Sequence, residues 1–274
     1  MTGPVPNRFD LYEWCVQSPL MQARFLDALL LPRGEAKGVG GARVLRDDFC
    51  GPASIARAWV TLGPGYRAVG VDSDPEPLNH ARLRAGSIPN GAGDRIELVA
   101  QSVMDVQARA TVICAFNFAL CELHDRRDLV TYLRKARESI DADGVIAVDL
   151  YGGATAFVPG ASDQDIQTPI GKARYTWEQR EADPFTGRVR NAIHFRLPDR
   201  TKLNNAFEYD WRLWSVPEVR DAMLEAGFST TEVHTGYGGA VTGDGELIVR
   251  PVAPGHDLED EERDAWVAYV VGKV

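Results

Sequence analysis

Short apolar runs alternate with helix-compatible segments through the first half of this chain: Arg43–Arg46, Ala68–Asp72, Ile96–Ala100, Val112–Phe116 and Val145–Leu150 read as strands. Strands separated by helices cannot return through tight hairpins, so they pair in parallel, and a parallel sheet needs helices over both faces. Ahead of them, residues 9–31 read as helical, with an apolar stripe of Leu11, Cys15, Leu20, Phe25, Leu29 and Leu30 broken around Ser18-Pro19. Between the fourth and fifth strands Leu129, Leu133, Ala136 and Ile140 recur at helical spacing, and Gly144 is expected to close that helix. The pattern changes after Tyr151. Residues 172–213 hold three stretches rich in aromatic and β-branched residues, separated by Asp183-Pro184-Phe185-Thr186-Gly187 and by Pro198-Asp199, which is turn chemistry. That reads as an antiparallel β insertion. A capping box from Ser215 to Glu218 starts another helix, which ends at Gly227, and strands follow at Thr230–His234 and Trp266–Val271. The acidic Arg250–Asp264 segment reads as an exposed loop.

The organisation expected is therefore a helical lid over 1–40, a core over 41–154 and 214–274, and the β insertion over 155–213. A chain of 274 residues is long enough for this, and it carries no repeat or low-complexity tract. The net charge of −9 works against extensive phosphate-backbone binding, which needs a basic surface to displace counterions, so nucleic acid is disfavoured and a small molecule favoured as partner. Cys15, Cys50, Cys114 and Cys121 show no CxxC spacing, so reduced thiols, no metal and a cytoplasmic location are the simplest reading. Asp10, Glu13 and Arg24 interrupt the apolar residues near the start, which argues against a signal peptide or membrane span there.

One loop concentrates the chemistry. In Val-Leu-Arg-Asp-Asp-Phe-Cys-Gly-Pro-Ala-Ser (44–54), a strand feeds a helix through a turn containing Gly51. The next strand ends in Asp72, about twenty residues past the glycine, the spacing at which nucleotide-binding α/β units set an acid against ribose hydroxyls. Asp72 could equally be a strand-end cap. Asp74 then suits the N-cap of a helix beginning at Pro75, with Leu78, Ala81 and Ala85 on one face.

In this order of elements the chain resembles the class I S-adenosylmethionine-dependent methyltransferases over residues 40–150 and 205–274. The resemblance implies a Rossmann-like, seven-stranded, mostly parallel sheet with helices on both faces, the last strands forming an antiparallel hairpin. It also implies S-adenosyl-L-methionine as cofactor and direct SN2-like methyl transfer to nitrogen, oxygen or carbon of a small molecule. In that family the loop reads as an acid followed by three alternating glycines; here the acid maps to Asp47, the middle glycine to Gly51, and the outer two to Phe49 and Ala53. Carried over, Asp47, Phe49, Cys50 and Gly51 lie beside the methionine part, Asp72 and Ser73 at the ribose, Ser102 and Val103 at the adenine, and Phe116 and Asn117 at the transfer cleft. Which of the adjacent Asp47 and Asp48 enters the pocket is open.

Just beyond the fourth strand, Glu122 and His124 are candidates to take a proton from the acceptor, although His124 could simply precede the next helix. Tyr12 and Trp14 could close over the cofactor as a lid or pack on the core, and Tyr151, Trp211 and Arg212 are candidates for the acceptor pocket. On a strand, Tyr209 and Trp211 share one face while Asp210, Arg212 and Trp214 share the other. Cys50 and Cys121 are expected to be spectators as nucleophiles, since transfer from a sulfonium needs none. A monomer or homodimer is expected. The competing classes are an NAD-dependent oxidoreductase, which would want a G-x-G-x-x-G turn that residues 47–53 lack; a nucleic-acid methyltransferase using the basic run Arg126, Arg127, Arg134, Lys135 and Arg137; and a non-catalytic binder of a nucleoside or partner, suggested by the missing glycines.

Overall fold

The computed structural model describes residues 6–30, 42–237, 240–241, 247–253 and 263–274. Two helices lead: α1 (Arg8–Cys15) and α2 (Pro19–Leu29), parted at Ser18-Pro19, where proline suits the first helical turn. The parallel strands are β1 (Arg43–Asp48), β2 (Tyr66–Asp72), β3 (Ile96–Ala100), β4 (Ala110–Ala115) and β5 (Ile140–Gly152). Their crossovers carry α3 (Ser54–Val60), α4 (Pro75–Ala85) and α5 (Arg126–Ser139). The inserted strands are β6 (Gly160–Thr168), β7 (Gly171–Asp183), β8 (Arg188–Arg196) and β9 (Lys202–Arg212). After α6 (Val216–Glu225) come β10 (Thr230–His234), the short pair β11 (Ala240–Val241) and β12 (Leu247–Ile248), and β13 (Trp266–Lys273).

The main sheet runs β10-β13-β5-β4-β1-β2-β3, with β13 antiparallel to both neighbours. Its strands are buried on both sides, and the period-two alternation sorts their side chains into two cores. Val69, Val71, Ile113, Ile146 and Val148 meet α5 and α6 on one face. Leu45, Ala68, Val112, Cys114 and Ala147 meet α2, α3 and α4 on the other. Asp74 caps α4 by accepting from the N–H of Glu76, and Ser215 and Glu218 form the expected capping box.

Two expectations need correction. Gly144 does not close α5; the helix ends at Ser139 and the chain enters β5 directly. Gly144 lies in that strand near a register shift against β4, where a Cβ would come 2.5 Å from the Thr111 carbonyl oxygen, so only glycine fits. The insertion also has four strands, in the order β6-β7-β8-β9, rather than three. Its first strand, Gly-Ala-Ser-Asp-Gln-Asp-Ile-Gln-Thr, is an exposed edge with scarcely any apolar residues, so no hydrophobic alternation betrays it. Most of the segment read as an acidic loop, 254–262, lies outside the described residues. Among the described residues no helix is long and apolar enough to cross a membrane.

Candidate active site

The loop after β1 keeps the backbone of a glycine-rich turn with one glycine. Phe49, Gly51 and Ala53 all take the left-handed conformation, with φ of 57°, 52° and 53°. For a residue with a Cβ this costs about 1–2 kcal/mol, so the surroundings must hold it. They do: the N–H of Cys50 donates to Val71 O at 2.9 Å, the N–H of Ala53 to Cys50 O at 2.8 Å, and the Phe49 ring packs edge-on against Tyr132. The N–H of Gly51 donates to Asp72 Oδ2 at 2.8 Å, and the N–H of Asp74 to Asp72 Oδ1 at 2.9 Å. Beyond its two chain neighbours, no atom of the described residues lies within 4 Å of the position a Gly51 Cβ would take, so the space above the loop is open. Each Asp72 oxygen keeps acceptor capacity for a ribose hydroxyl, and the open backbone beside it fits a nucleoside ligand.

Asp47 and Asp48 point to different environments. Asp48 is fully buried, accepting from Arg46 Nε and Nη2 and from the Tyr132 hydroxyl, each at 2.9 Å. Asp47 lies on the opposite face under the start of α3, accepting from Ala56 N–H at 3.3 Å and Cys114 Sγ at 3.4 Å. It pairs with no Lys or Arg among the described residues, and burial pushes its carboxyl up to about 7. Cys50 is buried beneath the loop, with its thiol pushed well up by burial and by the neighbouring carboxylates. Ser73 is exposed beside Asp72. Ser102 accepts from Met104 N–H through Oγ at 3.2 Å, and the Val103 side chain is buried in the α5 core.

At the end of β4, Phe116 is buried against Tyr269 and Phe25. The chain then turns through two left-handed residues, Asn117 and Phe118, with φ of 62° and 63°. Their N–H groups donate to Asp149 Oδ2 at 2.8 Å and Oδ1 at 2.7 Å. Asp149 stands in the apolar run of β5, and burial pushes its carboxyl up to about 7.

Beside this turn opens a cavity of about 780 Å³. Asn117, Phe118, Asp149, Tyr151 and Tyr269 form its floor, the inserted sheet supplies Trp177, Tyr209 and Trp211, and α1 supplies Tyr12. Tyr209 and Trp211 stack with centroids 4.2 Å apart, and Phe118 meets Tyr151 at 4.8 Å. Among its described lining residues Asp149 is the one carboxylate, and there is no Lys, Arg or His. The candidates Tyr12, Asn117, Tyr151 and Trp211 thus come together, whereas Glu122, His124, Trp14 and Arg212 lie outside this lining. Glu122 accepts from Trp211 Nε1 at 2.7 Å, and burial raises its carboxyl. His124 Nε2 donates to the Asp210 carbonyl at 2.7 Å, a bond joining the core to β9. Arg212 stacks 3.8 Å over Trp214, donates to the His124 carbonyl and lines a smaller neighbouring cavity. Trp14 packs with Leu11, Ile193 and Phe195.

Sequence reasoning missed Asp149, Phe118, Trp177 and Tyr269. A carboxylate within Val-Ile-Ala-Val-Asp-Leu (145–150) was the available signal, because an acid on a two-face-buried strand needs donors or a function.

Helix α1 lies over this end of the sheet, tied to α3 and α4 by polar contacts. Arg57 and Ser54 both donate to Glu13, Arg8 pairs with Glu76, and Arg84 with Asp10. Asn7 caps α1 and contacts His80 Nδ1 at 2.9 Å. These ties carry Tyr12 to the cavity.

No protein-family model matches the chain, and no curated protein resembles it in sequence. Solved structures do resemble it. The CcbJ methyltransferase from Streptomyces caelestis matches with a TM-score of 0.65 at 16% identity, over 99% of this chain and 100% of that one. The S-adenosylmethionine-bound amino pentose methyltransferase CalS10 from Micromonospora echinaspora matches with 0.66 at 13% identity over 100% of both chains. The sugar N-methyltransferase KedS8 from Streptoalloteichus sp. matches with 0.64 at 15% identity, over 100% of this chain and 95% of that one. The seven-stranded sheet with its antiparallel β13 and the separate four-stranded sheet therefore constitute the fold of the class I S-adenosylmethionine-dependent methyltransferases.

Proposed function

We propose that this protein methylates the nitrogen of a small-molecule amine with S-adenosylmethionine as donor. The observation that carries the reading is the Asp72–Gly51 contact: a strand-end carboxylate with spare acceptor capacity beside an open, left-handed loop. The bound cofactor would supply a methyl group already activated on a sulfonium, so that the acceptor lone pair forms the new bond to carbon and the C–S pair stays on sulfur. What the chain has to provide is then alignment and exclusion of water, and the aromatic cavity beside Asn117 suits both tasks. The sugar N-methyltransferase among the structural neighbours, and the amino pentose methyltransferase beside it, favour nitrogen over oxygen or carbon.

Charge supports a sulfonium ligand over a dinucleotide. Asp72 accepts from the backbone N–H groups of Gly51 and Asp74 and pairs with no Lys or Arg among the described residues, so the strand end presents a carboxylate and no paired cation for a diphosphate. The missing glycines weigh little for a non-catalytic binder, because the left-handed turn is kept without them. Three of the five basic residues of α5 are engaged within the fold: Arg126 pairs with Glu225, Lys135 donates to the Met104 carbonyl and Arg137 to that of Gly227, which leaves the exposed Arg127 and Arg134 and weakens a phosphate-binding stripe.

The test is incubation with methyl-labelled S-adenosylmethionine and matched amines, alcohols and carboxylic acids of up to the cavity's size, followed by mass spectrometry. Label appearing on amines supports the reading, and label confined to alcohols or acids contradicts it.

A further inference from the structure

We propose that the acceptor enters the cavity as its ammonium ion and that Asp149 binds this charge and then takes its proton. The inference rests on the amine reading above and adds the charge state of the acceptor and the residue that handles it.

An ammonium ion leaving water needs a counter-charge and hydrogen-bond acceptors. Asp149 is the carboxylate of the cavity wall, and no cationic side chain among the described lining residues competes for it. Each of its oxygens accepts one backbone N–H, from Phe118 and from Asn117, which fixes the carboxylate and leaves each oxygen capacity for another donor. These bonds also place the turn at the end of β4 and the carboxylate in one rigid unit at the cavity floor. The remaining walls include the aromatic rings of Phe118, Tyr151, Trp177, Tyr209 and Trp211, whose faces attract a desolvated cation far better than an anion. At the same wall Gln22 is buried, with an Oε1 that finds no donor among the described residues.

An ammonium has no lone pair to offer, so one proton must leave before transfer. It passes from the acceptor nitrogen to a carboxylate oxygen of Asp149, the N–H bonding pair stays on nitrogen as the nucleophilic lone pair, and the neutral carboxyl later returns the proton to water. The groups that face Asp149 are Tyr12 from α1, Cys114 from β4, Cys121 after β4, Tyr237 after β10 and Tyr269 from β13. Burial raises all five, so they stay neutral near pH 7 and Asp149 alone changes charge there.

Three probes with one ring and different charge test this: benzylammonium, benzyl alcohol and benzoate, titrated without cofactor while tryptophan fluorescence, to which the cavity residues Trp177, Trp211 and Trp266 contribute, is followed. The cation is expected to bind at least tenfold more tightly than the alcohol at pH 8, and benzoate more weakly than either. Its affinity should rise roughly tenfold between about pH 6 and pH 8, as the competent, ionised fraction of a group near 7 grows. In Asp149→Asn the cation should lose its advantage over the alcohol, whose own binding reports an intact cavity. Should that variant fail to fold, the pH dependence of cation binding in Asp47→Asn, which removes the other carboxyl near 7, decides. Equal binding of cation and alcohol, no cation binding, or a flat pH profile overturns the proposal. Separately, wild-type protein that prefers the cation but binds neither S-adenosylmethionine nor S-adenosylhomocysteine would sink methyl transfer while leaving Asp149 as the ammonium site.

Discussion

Asp72 and Gly51 are joined by a 2.8 Å hydrogen bond from the glycine N–H to Oδ2, so the end of β2 and the loop after β1 are set as one piece. Replacing Asp72 with alanine removes a candidate ribose acceptor and leaves the Gly51 N–H without its partner. The expected effect is a loss of about 1.5–3 kcal/mol in S-adenosylhomocysteine binding, the scale of a hydrogen bond to a charged group. Isothermal titration of the folded variant measures it, and an unchanged dissociation constant would show that the ribose lies elsewhere.

Ala53 separates conformational strain from packing. Its φ of 53° is unfavourable for any side chain, yet its methyl is fully buried. Ala53→Gly relieves about 1 kcal/mol of strain and gives up about 0.8 kcal/mol of buried methyl, so stability should stay within about 1 kcal/mol of wild type. Ala53→Val adds a β-branched side chain in the same conformation and should cost more than about 2 kcal/mol. Urea titrations of both variants distinguish the two effects.

The Arg46–Asp48 pair is a buried fork, completed by the Tyr132 hydroxyl. Asp48→Ala strands a guanidinium in the core and should destabilise by about 3–5 kcal/mol. The double replacement Arg46→Met, Asp48→Leu should be milder than Asp48→Ala, because no charge is left uncompensated. Denaturant midpoints of the three proteins check the order.

Asp47 makes stability depend on pH in an unusual direction. Burial lifts its folded value to about 7, above that of the unfolded chain, so the native state holds the proton more tightly. Its contribution is fully present below about pH 4 and is lost as pH rises through about 7. Asp149 adds a change of the same sign. The exposed Asp165 is held down to about 2 by Arg174 and acts oppositely, losing its stabilising contribution only at strongly acid pH. Melting temperature should therefore be higher at pH 5.5 than at pH 8, and Asp47→Asn should shrink the difference. An unchanged difference in that variant would exclude Asp47 as its source.

The main sheet was legible because its strands are short apolar runs with helices between, and both signals are local. The Phe49 and Ala53 positions were harder to read, because sequence reports the lost glycines but not the retained left-handed backbone, which neighbours such as Tyr132 and Val71 hold in place. Strand β6 escaped because an exposed polar edge has no hydrophobic period. The cavity was the least legible part. It joins α1, β5, β13 and the inserted sheet, and residues as distant as Tyr12, Asp149 and Tyr209 meet only through tertiary packing. Glu122 and His124 stood out in sequence by residue type, yet their hydrogen bonds run to Trp211 and to the Asp210 carbonyl, at the seam between core and insertion.

The most direct measurement of the central claim is calorimetric titration of the protein with S-adenosylmethionine, S-adenosylhomocysteine and NAD. Saturable binding of both adenosyl ligands, with no heat from NAD, is the predicted result. Binding of NAD with no measurable affinity for either adenosyl ligand would contradict it.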